Sequence, residues 1–303
     1  MRTLVLNAPY FKRFSRAQRS PAVCKSATIY FPIWLSYAVG VLEAEGHDVT
    51  FLDAPARDME LPEVLDIARR EQPRLVVMDA ATASIDNDAS VAQAIKEAAP
   101  GAFVVFVGTH VSALAQETLE RHPAVDAVAR REYEYTVRDL ARRLAPCLEK
   151  SDAGGAGVPA DPDSLDLSDV EGLSFRKNGV IVHNPDRPFI ENLDELPWVS
   201  KVYKRHLNIR DYFNPNALFP MVTLISSRGC PFRCSFCVYP QTLTGRRYRF
   251  RSVTDVVNEM EWVIGAFPEA RSVFFEDDTL TAHKAHCLAF SDEIIRRDLK
   301  FSW

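Results

Sequence analysis

The sequence predicts an α/β protein in which a doubly wound parallel sheet is followed by the first βα units of a barrel. Three observations predict this arrangement. Strand-like and helix-like segments alternate through residues 1–145. Two of those strands, Leu75–Asp79 and Phe103–Val107, are apolar on both faces, which is typical of a parallel sheet covered by helices on each side. A second alternation of strands and helices begins at Met221.

The N-terminal alternation contains five strands and five helices, which favours a flavodoxin-like sheet. Pro32 fits the first turn of the first helix, and Gly46 fits its left-handed end. The predicted strands cover residues 3–7, 49–53, 75–79, 103–107 and 125–129. The predicted helices cover residues 32–45, 61–70, 88–98, 113–121 and 135–144.

A connector is predicted between the two alternations. Residues 150–170 are small, polar and rich in proline and glycine, which indicates a linker. Asn178-Gly179 is a strong signal for a tight hairpin between strands at 172–175 and 180–183. We therefore predict an N-terminal domain over residues 1–146, a linker and hairpin connector over 147–215, and part of a barrel over 216–303.

The C-terminal segment reads as the opening of a barrel. Strands are predicted at 221–226 and 272–276, helices at 253–267 and 283–297, and the start of a further strand at 301–303. Ser252 is the expected cap of the first of these helices. A complete barrel of this kind takes about 250 residues. We therefore expect either a truncated gene or one part of a longer enzyme.

Composition and charge narrow the class of protein. The chain has 303 residues, 47% of them hydrophobic, and a formal net charge of −5, which argues against general nucleic-acid binding. The basic run of Arg246, Arg247, Arg249 and Arg251 is expected to be a solvated face. Residues 29–42 are apolar but shorter than the roughly 20 residues of a membrane span. With no signal peptide at the N-terminus, we expect a cytoplasmic protein without a membrane span.

Three of the six cysteines form the most specific motif. Cys230, Cys234 and Cys237 follow a predicted strand with the spacing Cys-x-x-x-Cys-x-x-Cys. Thiolates ligate iron–sulfur clusters, and three of them would leave one iron of a 4Fe–4S cluster open to a small molecule. Structural zinc is the alternative, although a closed zinc site needs a fourth ligand. The remaining cysteines are expected to be structural or incidental thiols: Cys24, Cys147 and Cys287.

The loop from Ser226 to Pro240 resembles the radical S-adenosylmethionine (SAM) superfamily, in which the open iron binds SAM and an electron cleaves SAM to a 5′-deoxyadenosyl radical. The resemblance implies that the three cysteines hold the 4Fe–4S cluster and that Phe236 lies beside the adenine. Acidic residues at the end of the next strand face SAM or the substrate in relatives, and here they are Glu276, Asp277 and Asp278. The alternative is a helix cap at Asp278 or Thr279.

The whole chain resembles the radical SAM enzymes that carry a cobalamin-binding domain. The shared features are the N-terminal sheet, the run Asp194-Glu195-Leu196-Pro197 after the hairpin, and Ser227-Arg228-Gly229-Cys230. The resemblance implies a flavodoxin-like domain of the cobalamin-binding type. It also implies that loops at the carboxyl ends of the strands hold the corrinoid through Asn7, Ala8, Pro9, Thr82, Ser84, Gly108, Thr109, Glu132 and Glu134.

Two departures from this family pattern stand out. No Asp-x-His-x-x-Gly motif occurs, so no histidine is expected to coordinate cobalt, and His110 is expected to be an ordinary loop residue. The loop after the fifth strand commonly reads Gly-Glu-Gly-Glu in relatives, whereas here residues 131–134 read Arg-Glu-Tyr-Glu. The larger side chains are expected to narrow the approach of the backbone to a ligand.

The resemblance implies a cobalamin-dependent methyltransferase that acts on an unactivated carbon of a small-molecule or lipid-like substrate. Its cofactors would be a 4Fe–4S cluster, SAM and cobalamin, and a flavodoxin or ferredoxin would donate the electron. Two alternatives stay open. One is a radical cyclase of the magnesium-protoporphyrin ester cyclase type, and the other is a truncated, non-catalytic corrinoid- or metal-binding fragment.

Overall fold

The computed structural model describes residues 1–16, 21–149 and 165–303. Most of the predicted linker and the side chain of Cys147 lie outside the described residues. The strands are β1 Arg2–Asn7, β2 Asp48–Asp53, β3 Leu75–Asp79, β4 Phe103–Val107, β5 Ala127–Ala129, β6 Leu173–Lys177, β7 Val180–His183, β8 Met221–Leu224, β9 Ser227–Arg228, β10 Arg249–Phe250 and β11 Ser272–Phe275.

The α-helices are α1 Ile33–Ala44, α2 Leu61–Glu71, α3 Ile85–Ala98, α4 Thr109–Ala113, α5 Ala115–Arg121, α6 Glu134–Glu149, α7 Val199–His206, α8 Val253–Ala266 and α9 Lys284–Arg296. Short 3₁₀ turns occur at Leu193–Glu195, Ile209–Asp211 and Leu280–Ala282, and a π-helical turn at Pro240–Thr244. None of the helices within residues 1–16, 21–149 and 165–303 has the length and apolar character that crossing a membrane requires.

The predicted parallel sheet is confirmed. Strands β1 to β5 are parallel and lie in the order β2-β1-β3-β4-β5, which is the flavodoxin-like order. Every residue of β3 and β4 is buried, because helices cover both faces of the sheet. In this order the loops that follow β1, β3, β4 and β5 meet at one edge of the sheet, the edge formed by the carboxyl ends of the strands.

The hairpin extends this sheet rather than standing apart from it. Strand β6 pairs antiparallel with β5, with Leu173 opposite Ala129, and β7 pairs with β6. The sheet therefore continues past residue 146, where the sequence analysis ended the first domain. Pairing of β6 with β5 covers the edge of β5 that would otherwise leave backbone groups unpaired.

Three predicted helices differ in their limits, and one of them, α6, ends at Glu149, five residues past its predicted end. The helix predicted over residues 113–121 is two helices, α4 and α5, that meet at Leu114. Helix α4 starts directly after Gly108, whose φ of 108° turns the chain sharply at the end of β4. Helix α3 begins at Ile85, three residues before the predicted start.

The C-terminal segment has the predicted alternation of strand and helix. Strands β8 and β11 are parallel, with Met221 opposite Ser272, and Ser302 adds a parallel bridge beside Ser272. Ser252 caps the start of helix α8, as the sequence predicted: its side chain accepts a hydrogen bond from the Asp255 N–H at 3.2 Å. This is the geometry expected for the first βα units of a barrel.

Helix α1 packs against both halves of the molecule. Its residues Ile33, Tyr37 and Val41 share one core with Tyr203 of α7 and Val222 of β8. At the centre of α1, Gly40 lies against the ring of Pro197, so that a Cβ at Gly40 would come within 2.6 Å of Pro197 Cγ. The small residue allows α1 to approach the segment that leads into the C-terminal half.

Replacing Gly40 with alanine should destabilise the protein although alanine is the better helix former. Overpacking of a well-packed core costs about 1–3 kcal/mol, which exceeds the gain in helix propensity of about 1 kcal/mol. Gly265 of α8 is the matched control, because nothing lies within 4 Å of a Cβ built there. Thermal unfolding should show a lower Tm for Gly40→Ala and an unchanged or higher Tm for Gly265→Ala. Equal stability of the two variants would contradict this account of the contact.

Candidate functional site

The cysteine loop starts from a backbone turn that only glycine fits. Gly229 has a φ of 88°, and a Cβ built on it would clash with the carbonyl oxygen of Arg247. Directly after it, the Cys230 N–H donates a hydrogen bond of 3.1 Å to the Gly245 carbonyl oxygen. The loop is thus anchored at its start against residues 245–247.

The three motif thiols lie on one accessible loop. Cys230 and Cys237 are half-buried and Cys234 is exposed, and the Cys237 N–H donates to the Cys234 carbonyl oxygen at 3.2 Å. Among the described residues, no three side chains of histidine, cysteine, aspartate or glutamate are gathered closely enough to hold a metal ion. A set of three thiolates on an accessible loop still suits an iron–sulfur cluster chemically. That these cysteines are its ligands remains a prediction.

The acidic residues after β11 have different surroundings. Asp277 is buried, and its carboxylate accepts hydrogen bonds from the Ser226 N–H at 3.1 Å, the Ser226 hydroxyl at 2.8 Å and the Ser227 hydroxyl. Burial raises the pKa of Asp277. Asp277 was predicted to face SAM or the substrate, but its carboxylate instead joins the end of β11 to the segment that leads into the cysteine loop.

The other predicted SAM contacts are more accessible. Glu276 lines a cleft between the two halves of the molecule, and Asp278 Oδ2 accepts a hydrogen bond of 3.0 Å from the Thr244 hydroxyl. Thr279 precedes a 3₁₀ turn without a side-chain capping bond. Phe236 is 88% exposed at the surface of the cysteine loop.

The cleft lies at the carboxyl edge of the parallel sheet. Asn7 and Asp79, at the ends of β1 and β3, line it from the N-terminal half, and Tyr239 and Glu276 line it from the other half. Asn7 is buried and its Nδ2 donates to Asp53 Oδ1 at 3.2 Å. In the part of the chain that the structure describes, Asn7 Oδ1 is buried without a hydrogen-bond partner. A buried acceptor of this kind fits a ligand with amide donors, such as a corrinoid.

Five further residues of the predicted corrinoid site lie on the loops at this edge. The carbonyl oxygens of Ala8 and Pro9 already accept hydrogen bonds from Arg16 and Asn87, each at 2.8 Å. The hydroxyl of exposed Thr82 lies 3.1 Å from His110 Nδ1. His110 was expected in a loop, but it lies in the first turn of α4. The last two of the five begin that turn: Gly108 and Thr109.

The hydroxyl of Ser84 is already hydrogen-bonded within the protein. Its hydroxyl donates to Asp88 Oδ2 at 2.7 Å and accepts from Arg16 Nη1 at 2.7 Å. Arg16 also binds both oxygens of Asp88, at 2.8 and 2.9 Å, and all three side chains are buried. Ser84 was predicted to contact the corrinoid, but it belongs to this ion pair, which fixes the start of α3.

Glu132 and Glu134 also differ from the prediction. Both carboxylates are buried and face the C-terminal half rather than the cleft. Glu134 accepts a hydrogen bond of 2.7 Å from Arg228. Glu132 accepts bonds of 2.7 and 2.9 Å from the two terminal nitrogens of Arg249. We refer to Glu132, Glu134, Arg228 and Arg249 as the interdomain ion network.

Arg228 is the most enclosed member of this network. It is 1% exposed, and its guanidinium carbon lies 4.6 Å from the ring centroids of both Trp34 and Tyr37. Burial alone would lower the pKa of Arg228, but attraction by Glu134 and Glu132 raises it above its ordinary value. Arg228 is therefore charged and held between the two halves.

The basic run was predicted to be a solvated face, and half of that prediction is wrong. Arg246 and Arg247 are exposed, whereas Arg249 and Arg251 are buried. Arg251 pairs with Glu259 at 2.6 Å, in addition to the contacts of Arg249 described above. The carboxylates that accept these arginines are distant in sequence or on a later helix, so the run alone did not reveal them.

A buried carboxylate that sequence analysis missed lies beside Asn7. Asp53, at the end of β2, accepts hydrogen bonds from Asn7 and from the Tyr212 hydroxyl at 3.1 Å. Burial raises the pKa of Asp53 to about 6, against an ordinary value of 3.8. Tyr212 is 159 residues away along the chain, which is why no local pattern indicated the contact.

Comparison with known proteins fits this arrangement. Residues 19–141 match the family model described as the B12 binding domain. An uncharacterized methyltransferase of Pyrococcus horikoshii is 30% identical over 272 residues, which is 90% of this chain and 54% of that protein. The chain belongs to the cobalamin-binding radical SAM superfamily. Cobalamin and SAM are the cofactors of this superfamily, and a 4Fe–4S cluster is typical of the same proteins.

Two other similar proteins define the extent of the similarity. The anaerobic magnesium-protoporphyrin IX monomethyl ester cyclase of Rubrivivax gelatinosus is 28% identical over 90% of this chain and 46% of its own length. The structure of the cobalamin-dependent SAM radical enzyme OxsB with aqua-cobalamin and SAM bound superposes with a TM-score of 0.70. The two sequences are 18% identical, and the superposition covers 99% of this chain and 37% of OxsB. The chain spans about half the length of the curated relatives it matches.

Replacing Asp53 with asparagine should remove a pH dependence of stability. Because the folded pKa lies above the unfolded value, the stability due to Asp53 is full below about pH 4 and is lost as the pH rises through about 6. Asparagine keeps an acceptor for Tyr212 and cannot ionise. Between pH 4 and pH 7 the Tm of Asp53→Asn should therefore rise relative to wild type by a few degrees, on the order expected for 1–2 kcal/mol.

The control for this measurement is Asp292→Asn, which removes an exposed carboxylate from the surface of α9. Its Tm should follow that of the wild type across the same pH range. If the difference between Asp53→Asn and wild type were constant with pH, Asp53 would not titrate in this window.

Proposed function

We propose that Cys230, Cys234 and Cys237 bind a 4Fe–4S cluster, and that the protein containing this chain is a cobalamin-dependent methyltransferase acting on an unactivated carbon. When bound, the cluster and SAM supply a 5′-deoxyadenosyl radical and cobalamin supplies the methyl group. The substrate is a small molecule or lipid-like, and a flavodoxin or ferredoxin donates the electron. The uncharacterized methyltransferase of Pyrococcus horikoshii supports the reaction class.

The position of the cysteine loop is the observation that carries this proposal. Arg228 stands two residues before Cys230 and binds Glu134, the first residue of α6, directly after the β5 loop of the B12 binding domain. The start of the cysteine loop therefore lies against the carboxyl edge of the sheet, where ligands of this fold bind. Tyr239, two residues after Cys237, lines the cleft together with Asn7 and Asp79, so the proposed corrinoid and cluster loops border the same cleft, as a reaction that uses both would require.

The residues of this chain would have distinct roles around the cofactors. Asn7 Oδ1 offers a buried acceptor for an amide of the corrinoid, and Gly108 lets the chain turn close to it. Glu276 would face SAM or the substrate in the cleft, and the exposed ring of Phe236 would cover the adenine. The other retained contacts of the corrinoid are the loop positions Ala8, Pro9, Thr82 and Thr109.

A radical cyclase is the second candidate. It is favoured by the similarity to the magnesium-protoporphyrin ester cyclase of Rubrivivax gelatinosus over 90% of this chain. Both candidates share the cysteine loop and the cleft, so only the product separates them. Incubation with SAM labelled in its methyl group distinguishes the two: a methyltransferase passes the label to its product, whereas a cyclase does not.

Replacing Cys234 with alanine should abolish cluster binding. After anaerobic reconstitution of the whole protein with iron and sulfide, wild type should contain about four irons and form 5′-deoxyadenosine from SAM and a reductant. Cys234→Ala should lose the cluster absorbance and the 5′-deoxyadenosine. Cys287→Ala, which removes a half-buried thiol from α9, is the matched control and should keep both.

Three results would contradict the proposal. The radical SAM assignment would be wrong if wild type with an intact cluster formed no 5′-deoxyadenosine. Bound zinc in place of iron and sulfide would favour the structural-zinc alternative. Loss of cobalamin during washing of a cluster-loaded protein would remove cobalamin from the reaction.

A further inference from the structure

The cysteine loop is framed by two short strands whose arginines reach into the B12 binding domain. Strand β9 ends at Arg228 and strand β10 begins at Arg249, and these two residues pair in the antiparallel register. Gly229, between Arg228 and Cys230, also lies against the backbone of residue 247, just before β10. Both ends of residues 229–248, the segment that contains the three cysteines, are therefore attached to the same pair of buried arginines.

The charges of the interdomain ion network balance when both glutamates are ionised: burial raises the pKa of Glu134, and the attraction of Arg228 opposes that rise. Arg228 binds Glu134 at 2.7 Å and lies 3.6 Å from Glu132, while Arg249 binds Glu132 at 2.7 Å. The Ile190 N–H donates a further bond of 2.9 Å to Glu132. All four charged side chains are almost fully shielded from water, so their fields are weakly screened by solvent and salt. Removing any one carboxylate leaves a net positive charge there.

We propose that Glu132 and Glu134 are positioning residues for the cysteine loop, and that through Arg228 and Arg249 the B12 binding domain sets the electrostatic potential at the cluster. This inference rests on the proposed binding of a 4Fe–4S cluster by the three cysteines. It assigns the two glutamates to the cluster half of the site, although they belong to the cobalamin half of the chain.

The distance along the chain supports an electrostatic effect. An extended residue spans at most about 3.6 Å, so the Cα atoms of Arg228 and Cys230 lie within about 7 Å of each other, and the guanidinium is separated from the Cys230 backbone by at most this distance plus the length of its own side chain. Reduction adds an electron to the cluster, and net charge is one of the factors that set its reduction potential. A buried cation that has lost its carboxylate should stabilise the reduced state and raise the midpoint potential.

The test is a redox titration of the reconstituted whole protein, followed by electron paramagnetic resonance (EPR). Glu134→Gln keeps the shape of the side chain but removes its charge, so the midpoint potential should move to a more positive value at unchanged iron content. Glu134→Asp keeps the charge and should stay near wild type. The double variant Glu134→Gln with Arg228→Gln restores the charge balance, and its potential should return toward wild type.

Glu45→Gln is the matched control. Glu45 also binds an arginine, Arg142 at 2.8 Å, but this pair is exposed at the end of α1, next to the amino end of β2 and on the opposite edge of the sheet. The variant makes the same change of charge in the same domain. Its midpoint potential should equal that of wild type.

The outcomes separate the inference from the proposed function. If wild type binds no 4Fe–4S cluster, the proposed function fails and the inference fails with it. If wild type binds the cluster and Glu134→Gln shows a lower Tm but the wild-type potential and EPR spectrum, the glutamate is merely structural and the inference alone is overturned. Should Glu134→Gln not fold, Glu132→Gln carries the same test, and an unshifted potential in that variant overturns the inference.

Discussion

The interdomain ion network is the constraint on which the arrangement of the two halves depends. Removing charged groups from water is costly, and a buried pair compensates for this cost only when its geometry and hydrogen bonds are good. Here each arginine has a carboxylate partner at 2.7 Å, and Glu132 also binds a backbone N–H. Loss of one partner from a buried pair typically costs about 3–5 kcal/mol. Contact between the cysteine loop and the β5 loop therefore keeps these buried charges paired.

Helix α1 supplies the apolar surroundings that this network needs. Trp34 and Tyr37 each place a ring 4.6 Å from the guanidinium carbon of Arg228, and the same helix contributes to the core shared with β8 and α8. On the next turn of α1, Gly40 allows Pro197 to approach the helix closely. Helix α1 is part of the B12 binding domain in sequence, but it packs against both halves of the molecule. It therefore forms one wall of the cleft between them.

The sequence predicted what is local or periodic and missed what joins distant segments. The strand order follows from apolar strands such as β3 and β4, and the cysteine motif is contained in eight residues. The partners of Arg228, in contrast, are 94 or more residues away, and Tyr212 meets Asp53 over 159 residues. Buried charge pairs obey no periodicity, so a run of arginines and a pair of loop glutamates were both interpreted as facing solvent or ligand.

The contacts of the β5 loop differ from those that its sequence predicted. Arg131 has a φ of 60°, the left-handed conformation that glycine adopts most readily, at a position where relatives commonly have glycine. Its side chain binds Asp186 at 2.9 Å and lies over Phe189, and Tyr133 is buried in the core of the sheet. Arg131 is therefore engaged by Asp186 and Phe189, whereas Tyr133 is buried close to Asp79 and Tyr239, which line the cleft. Because the glutamates between and after them face Arg228 and Arg249, the proposed corrinoid contacts are left to the loops after β1, β3 and β4.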